Sequence, residues 1–147
     1  MASRIVSRSV TVPAPADAIF DLLATPSGHA KIDGSGTVQG PAEQEQRLYL
    51  GATFGMRMRM GLPYRISNEV VEFDKNRRIA WRHIGGHIWR WELEPVEGGT
   101  KVTESFDYAP ARSPRMLELT GTPGRNAKAI EQTLSNLTAL FTGPQAP

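Results

Sequence analysis

The 147-residue chain contains no cysteine, which excludes disulfide bracing and thiolate chemistry and fits a reducing compartment. Lysine is scarce, four against thirteen arginines, and nowhere do basic residues cluster as a phosphate-tracking surface requires. The net charge of +2 and pI near 9.2 therefore do not read as a nucleic-acid footprint. No run is long and apolar enough to span a membrane, and the opening MASRIVSRSV lacks the apolar centre of a signal peptide. The expectation is a cytoplasmic protein with no nucleic-acid partner and no membrane span. One domain over residues 1–143 and a flexible tail at 144–147 suit the length, which is enough for a real core. Aromatic residues make up only 7%, yet all three tryptophans fall between positions 81 and 91.

What is present is strand alternation. In FGMRMRMGLPYRI (54–66), methionine and arginine alternate with period two, the pattern of a strand with one dry and one wet face. RIVSRSVTV (4–12) reads as a first strand, and ADAIFDLL places Ala16, Ile19, Phe20 and Leu23 on one helical face. TPSGHAKIDGSG reads as a short helical turn or loop, and TVQGP as a brief strand. From Arg47 to Ala109, turn signals at GLP, DKN, GG (85–86) and GG (98–99) break the chain into a meander of hairpins. Ser113 and Thr122 each precede a proline, as at a helix start. The second opens a long helix whose apolar stripe is Ala127, Ile130, Leu134, Leu137 and Phe141.

Pairing outward from these turns sets a register. With loops at 61–63, 75–76, 85–87 and 98–99, one row reads Phe54, Val70, Trp81, Trp91, Phe106. A second reads Met56, Asn68, His83, Trp89, Tyr108, and a third Ala52, Glu72, Ile79, Leu93, Glu104. All share one largely apolar face. On the other face Glu69, Arg82, Arg90 and Asp107 align, and Arg78 faces Glu94, so charges meet mostly with opposite sign. The carboxy-terminal helix is the only long amphipathic cover in view, and it is thin for so many large side chains. A solid core and a pocket both fit such an aromatic stripe. The adaptable methionines and the polar Asn68, His83, Glu104 and Tyr108 favour a pocket.

VTVPAPADAIFDLLATPSGHAKI (10–32), VVEFDKNRRIAWRH (70–83), LEPVEGGTKVTESF (93–106) and the closing helix together resemble the SRPBCC superfamily. This is the helix-grip fold of START lipid-transfer domains, the birch-pollen allergen and the polyketide cyclase/dehydrase family. The resemblance covers about residues 3–141. It implies an α+β fold: a curved seven-stranded antiparallel sheet wrapped around the C-terminal helix, with small helices between strands 1 and 2. It also implies a cavity between sheet and helix, binding of hydrophobic small molecules in most members, and cyclisation or dehydration in a minority. No universal catalytic motif comes with it.

The candidate ligand-binding residues are Phe54, Met56, Met58, Tyr64, Asn68, Trp81, His83, Trp89, Trp91, Glu104, Phe106 and Tyr108. His83 is the one candidate general base, being able to exchange a proton near neutral pH. Glu104 stands about 16 Å from it by strand spacing, too far for a dyad, and Arg8 on the neighbouring first strand is its expected partner. His83 and His87 straddle a turn, so zinc spacing is not met; no metal and no cofactor are expected. Three functions stay open. The first is binding, as carrier or sensor, of a hydrophobic ring-containing molecule such as a polyketide, sterol-like or fatty compound. The second is a cyclase/aromatase-type enzyme using His83, with Tyr108 or Asn68 holding an enolate oxygen. The third is a partner-binding module with no open cavity. A homodimer is compatible with each.

Overall fold

The computed structural model describes residues 3–42 and 46–142; the expected tail at 144–147 lies outside the described residues. Seven strands follow one another as β1 (Ile5–Val12), β2 (Val38–Pro41), β3 (Thr53–Met60), β4 (Leu62–Asp74), β5 (Arg78–His83), β6 (Ile88–Val96) and β7 (Gly99–Asp107). They form one antiparallel sheet in the order β1-β7-β6-β5-β4-β3-β2. Helices α1 (Ala16–Leu23) and α2 (Pro26–Ile32) lie between β1 and β2. After β7 come α3 (Pro114–Leu119) and the long α4 (Thr122–Thr142). This is the helix-grip architecture that the resemblance implied.

The meander forms where the turn chemistry permits. Gly61, at φ 77°, alone separates Met60 from its partner Leu62. Asn76 takes the same left-handed region, φ 65°, in the turn between β4 and β5, where a short polar side chain is tolerated. Ser113 caps α3 by accepting the Met116 amide at 3.4 Å.

The observed register corrects the expected rows. Phe54 faces Asn68, Trp81 faces Trp89, Ile79 faces Trp91, and Trp89 faces Phe106. Three hairpins are each displaced by two residues from the expectation, and a two-residue displacement leaves every side chain on its face. The exception is β4. A bulge between Val70 and Glu72 turns Glu72 to the outer face and Phe73 inward, against Phe20 of α1 at 5.3 Å. Glu72 there accepts from Arg90 at 2.7 Å, and Arg78 pairs with Glu92 at 2.9 Å rather than standing opposite Glu94.

The inner face has more cover than the expected single helix. Ile130, Leu134 and Leu137 of α4 are buried, and so are Ile19, Phe20 and Leu23 of α1 and Ile32 of α2. Each such side chain contributes about 1.5–3 kcal/mol by leaving water. The helices therefore close most of the concave face, and what they leave open is local.

Candidate ligand-binding site

A cavity of about 200 Å³ remains between the sheet, the α2 end and the first half of α4. Its sheet wall is Met56, Met58, Trp81, Trp89 and Trp91; Ile32 and Val38 close one side, and Ala129, Ile130 and Thr133 of α4 another. Asn68, Asp33 and Glu104 are polar points on this surface. All three tryptophans thus meet in one place, as the alternation of β5 and β6 requires.

Trp81 is held as a wall by rings behind it. His29 of α2 stacks on its indole at 4.5 Å and 16°, while Phe54 meets the indole edge-on at 5.7 Å. His29 is fixed in turn, since its Nε2 donates to the Leu23 carbonyl at 2.8 Å. This makes His29 a positioning residue of the wall.

Glu104 is 7% exposed and Asn68 is 4% exposed. Among the described residues, neither Glu104 Oε1 nor Asn68 Oδ1 has a hydrogen-bond partner. Arg8 does stand directly opposite Glu104 across β1 and β7, but the expected ion pair is not made. The Arg8 guanidinium goes to Glu131 of α4 at 3.0 Å and to the Ser7 carbonyl at 2.8 Å. Burial pushes the Glu104 carboxyl well above the usual carboxylate range, and the nearby Asp33 carboxylate adds to the push.

The remaining expected site residues lie beside the cavity or away from it. Phe54 backs Trp81. Tyr64 is 42% exposed, opposite Met58 near the tip of the β3–β4 hairpin. His83, Phe106 and Tyr108 belong to a second ring cluster: His83 stacks on His87 at 4.4 Å, His87 meets Phe106 at 5.2 Å, and Phe106 stacks on Tyr108 at 5.4 Å. Tyr108 donates its hydroxyl to Glu118 of α3 at 2.9 Å. His83 Nδ1 accepts the Gly85 amide at 2.9 Å. Burial lowers both histidines, His87 to about 4, where His83 adds to the effect.

The sequence reading missed His29, Ile32, Asp33 and Thr133. The first three belong to a segment read as turn or loop, where periodicity carries no facing information. Thr133 sits on the long helix but is polar, so an apolar stripe passes over it.

Residues 3–142 match the family model for polyketide cyclase / dehydrase and lipid transport. The chain belongs to that family. The chain is 43% identical over 138 residues to the uncharacterized protein Rv0088 of Mycobacterium tuberculosis. That match covers 90% of this chain and 62% of the mycobacterial protein, so the chain spans less than two thirds of that relative's length. Among solved structures it is similar to protein CV1439 from Chromobacterium violaceum, with a TM-score of 0.74 at 16% identity, covering 96% of this chain and 99% of that one. It is similar also to the AHSA1-like protein from Aeromonas hydrophila, with a TM-score of 0.67 at 13% identity, covering 97% and 98%. At such identity the likeness concerns the fold alone. No helix among the described residues is long and apolar enough to cross a membrane.

Proposed function

We propose that the chain binds a small, ring-bearing hydrophobic molecule in this cavity and serves as a carrier or sensor. The observation that carries the reading is the convergence of Trp81, Trp89 and Trp91 on one cavity whose lining also includes Asn68 and Glu104, each with a buried oxygen that has no partner among the described residues. Buried polar atoms without partners are rare in a finished core and frequent where a ligand completes the set. Family membership supports the same reading.

The volume narrows the size class. An engineered apolar cavity of about 150 Å³ holds benzene. A cavity of about 200 Å³ therefore suits one substituted ring, and a sterol-like or polycyclic compound would need α2 or α4 to move. A cyclase mechanism with His83 as base has weaker support. His83 does not line the cavity, and its Nδ1 is already engaged by a backbone amide. A partner-binding module without an open cavity is disfavoured by the cavity itself.

Titration with single-ring compounds while following tryptophan fluorescence tests the proposal. Saturable quenching or a blue shift, lost when Trp89→Leu and Trp91→Leu are combined, is expected. Emission that no such compound alters would contradict it.

A further inference from the structure

Resting on that reading, we propose that the preferred occupant is a single-ring organic cation of the arylalkylamine class, with Glu104 as its counter-ion and the tryptophans around its ring and ammonium. Four observations converge on positive charge. Asp33 and Glu104 both line the cavity, and among the described residues no lysine or arginine does. Arg8, the one cation directly opposite Glu104 in the sheet, is drawn to Glu131. Among the residues lining the cavity, the buried atoms left without partners, Glu104 Oε1 and Asn68 Oδ1, are oxygens, which call for a ligand that donates. Three indoles, from β5 and β6, line the cavity between sheet and helices, and indole is the best of the aromatic rings for a cation.

The charged groups around Glu104 act in one direction. Asp33, beyond α2, adds negative charge, while Arg8 is compensated by Glu131. His29, also on the wall, already donates to Leu23. A neutral or anionic ligand would leave the buried Glu104 carboxyl without a counter-ion, whereas an ammonium favours its ionised form. Any proton the carboxyl holds goes to solvent as the ammonium enters, and a carboxylate–ammonium pair remains.

A matched set of 2-phenylethylamine, 2-phenylethanol and 3-phenylpropionate, titrated against the intact chain with tryptophan fluorescence and calorimetry, provides the test. The amine is expected to bind about tenfold more tightly than the alcohol, and the propionate most weakly. Calorimetry in two buffers of different ionisation enthalpy should show protons released as the amine binds and none as the alcohol binds. In Glu104→Gln, an isosteric change, the amine's advantage over the alcohol and the proton release should both vanish. The proton count on the unaltered protein is independent of whether that variant folds. Alcohol binding as tight as amine binding, or an amine preference that survives in E104Q, overturns the cation and leaves the cavity reading standing. Failure of all three compounds to perturb the tryptophans removes both.

Discussion

Arg8 and Glu104 stand directly opposite one another on adjacent strands, yet the arginine bonds Glu131 and the glutamate, a residue of the cavity lining, keeps a buried oxygen without a partner among the described residues. A buried acid without a partner does not help the fold. Glu104→Met is therefore expected to stabilise the protein by about 1–3 kcal/mol, measured by denaturant unfolding at pH 7. The pH dependence has a definite sign. The folded state keeps the proton that an unfolded glutamate loses above about pH 4.3, so this group makes stability fall as pH rises past that value. Glu104→Gln should abolish that part of the slope. Destabilisation by both variants would show that Glu104 has a structural partner after all.

The His83–His87 stack makes the opposite prediction. A folded-state value of about 4 for His87, against an ordinary 6.5, means the unfolded chain takes up the proton first as pH falls. Stability is then intact above about pH 6.5 and declines through the interval down to about pH 4, by about 3 kcal/mol in total. His87→Phe, which keeps a ring against Phe106, should hold its stability to lower pH than the parent in urea titrations at pH 7 and pH 4.5. Equal losses in the two proteins would rule out the histidine as the cause.

On the outer face, Arg90 binds Glu72 at 2.7 Å and Asp107 at 3.4 Å with only 17% of its side chain exposed. The hydrogen bond from Arg90 holds the Glu72 carboxyl below its ordinary range. A double-mutant cycle of Arg90→Ala and Glu72→Ala should give a coupling of about 1 kcal/mol, larger than for an exposed pair such as Arg8–Glu131. Additive effects would mean that the bulge in β4 aligned the pair without benefit.

Gly34 lets the end of α2 approach α4. A Cβ there would lie 2.6 Å from the Ala129 carbonyl oxygen and from the Thr133 amide, and the Gly34 amide donates to Thr133 Oγ at 2.8 Å. Gly34→Ala must push α4 away from the loop beside Asp33. It should destabilise the chain by about 1–3 kcal/mol and widen the cavity at Thr133. Unchanged stability and unchanged ligand affinity together would show that this junction does not shape the cavity.

The faces of the strands were legible in the sequence because the side-chain period is two, and the register errors in three hairpins were also two. Trp81, Trp89 and Trp91 consequently fell on the right side although their partners across the β5–β6 and β6–β7 hairpins were displaced; Val70 does stand opposite Trp81, as expected. Glu72 was misplaced because a bulge shifts by one, and nothing in VVEF marks it. The same two-residue displacement explains His83. It was expected opposite Trp89, but Trp81 holds that position, and His83 lies farther along β5 with His87. The contribution of α2 was hidden, since a seven-residue helix written PSGHAKI has too few turns for an apolar stripe. The Arg8–Glu104 opposition was readable from strand order, but its failure to pair depends on where Glu131 of α4 sits.

The central claim is that the tryptophan-walled space between sheet and helix is where a ligand sits. Nitrogen-15-labelled protein gives three indole N–H signals, and their response to a saturating single-ring compound reads the site directly. All three are expected to shift together with one affinity, along with the amide of Thr133 and without the amide of Tyr64. Shifts confined to the β3–β4 hairpin, or indole signals that stay in place while the compound binds, would contradict the account.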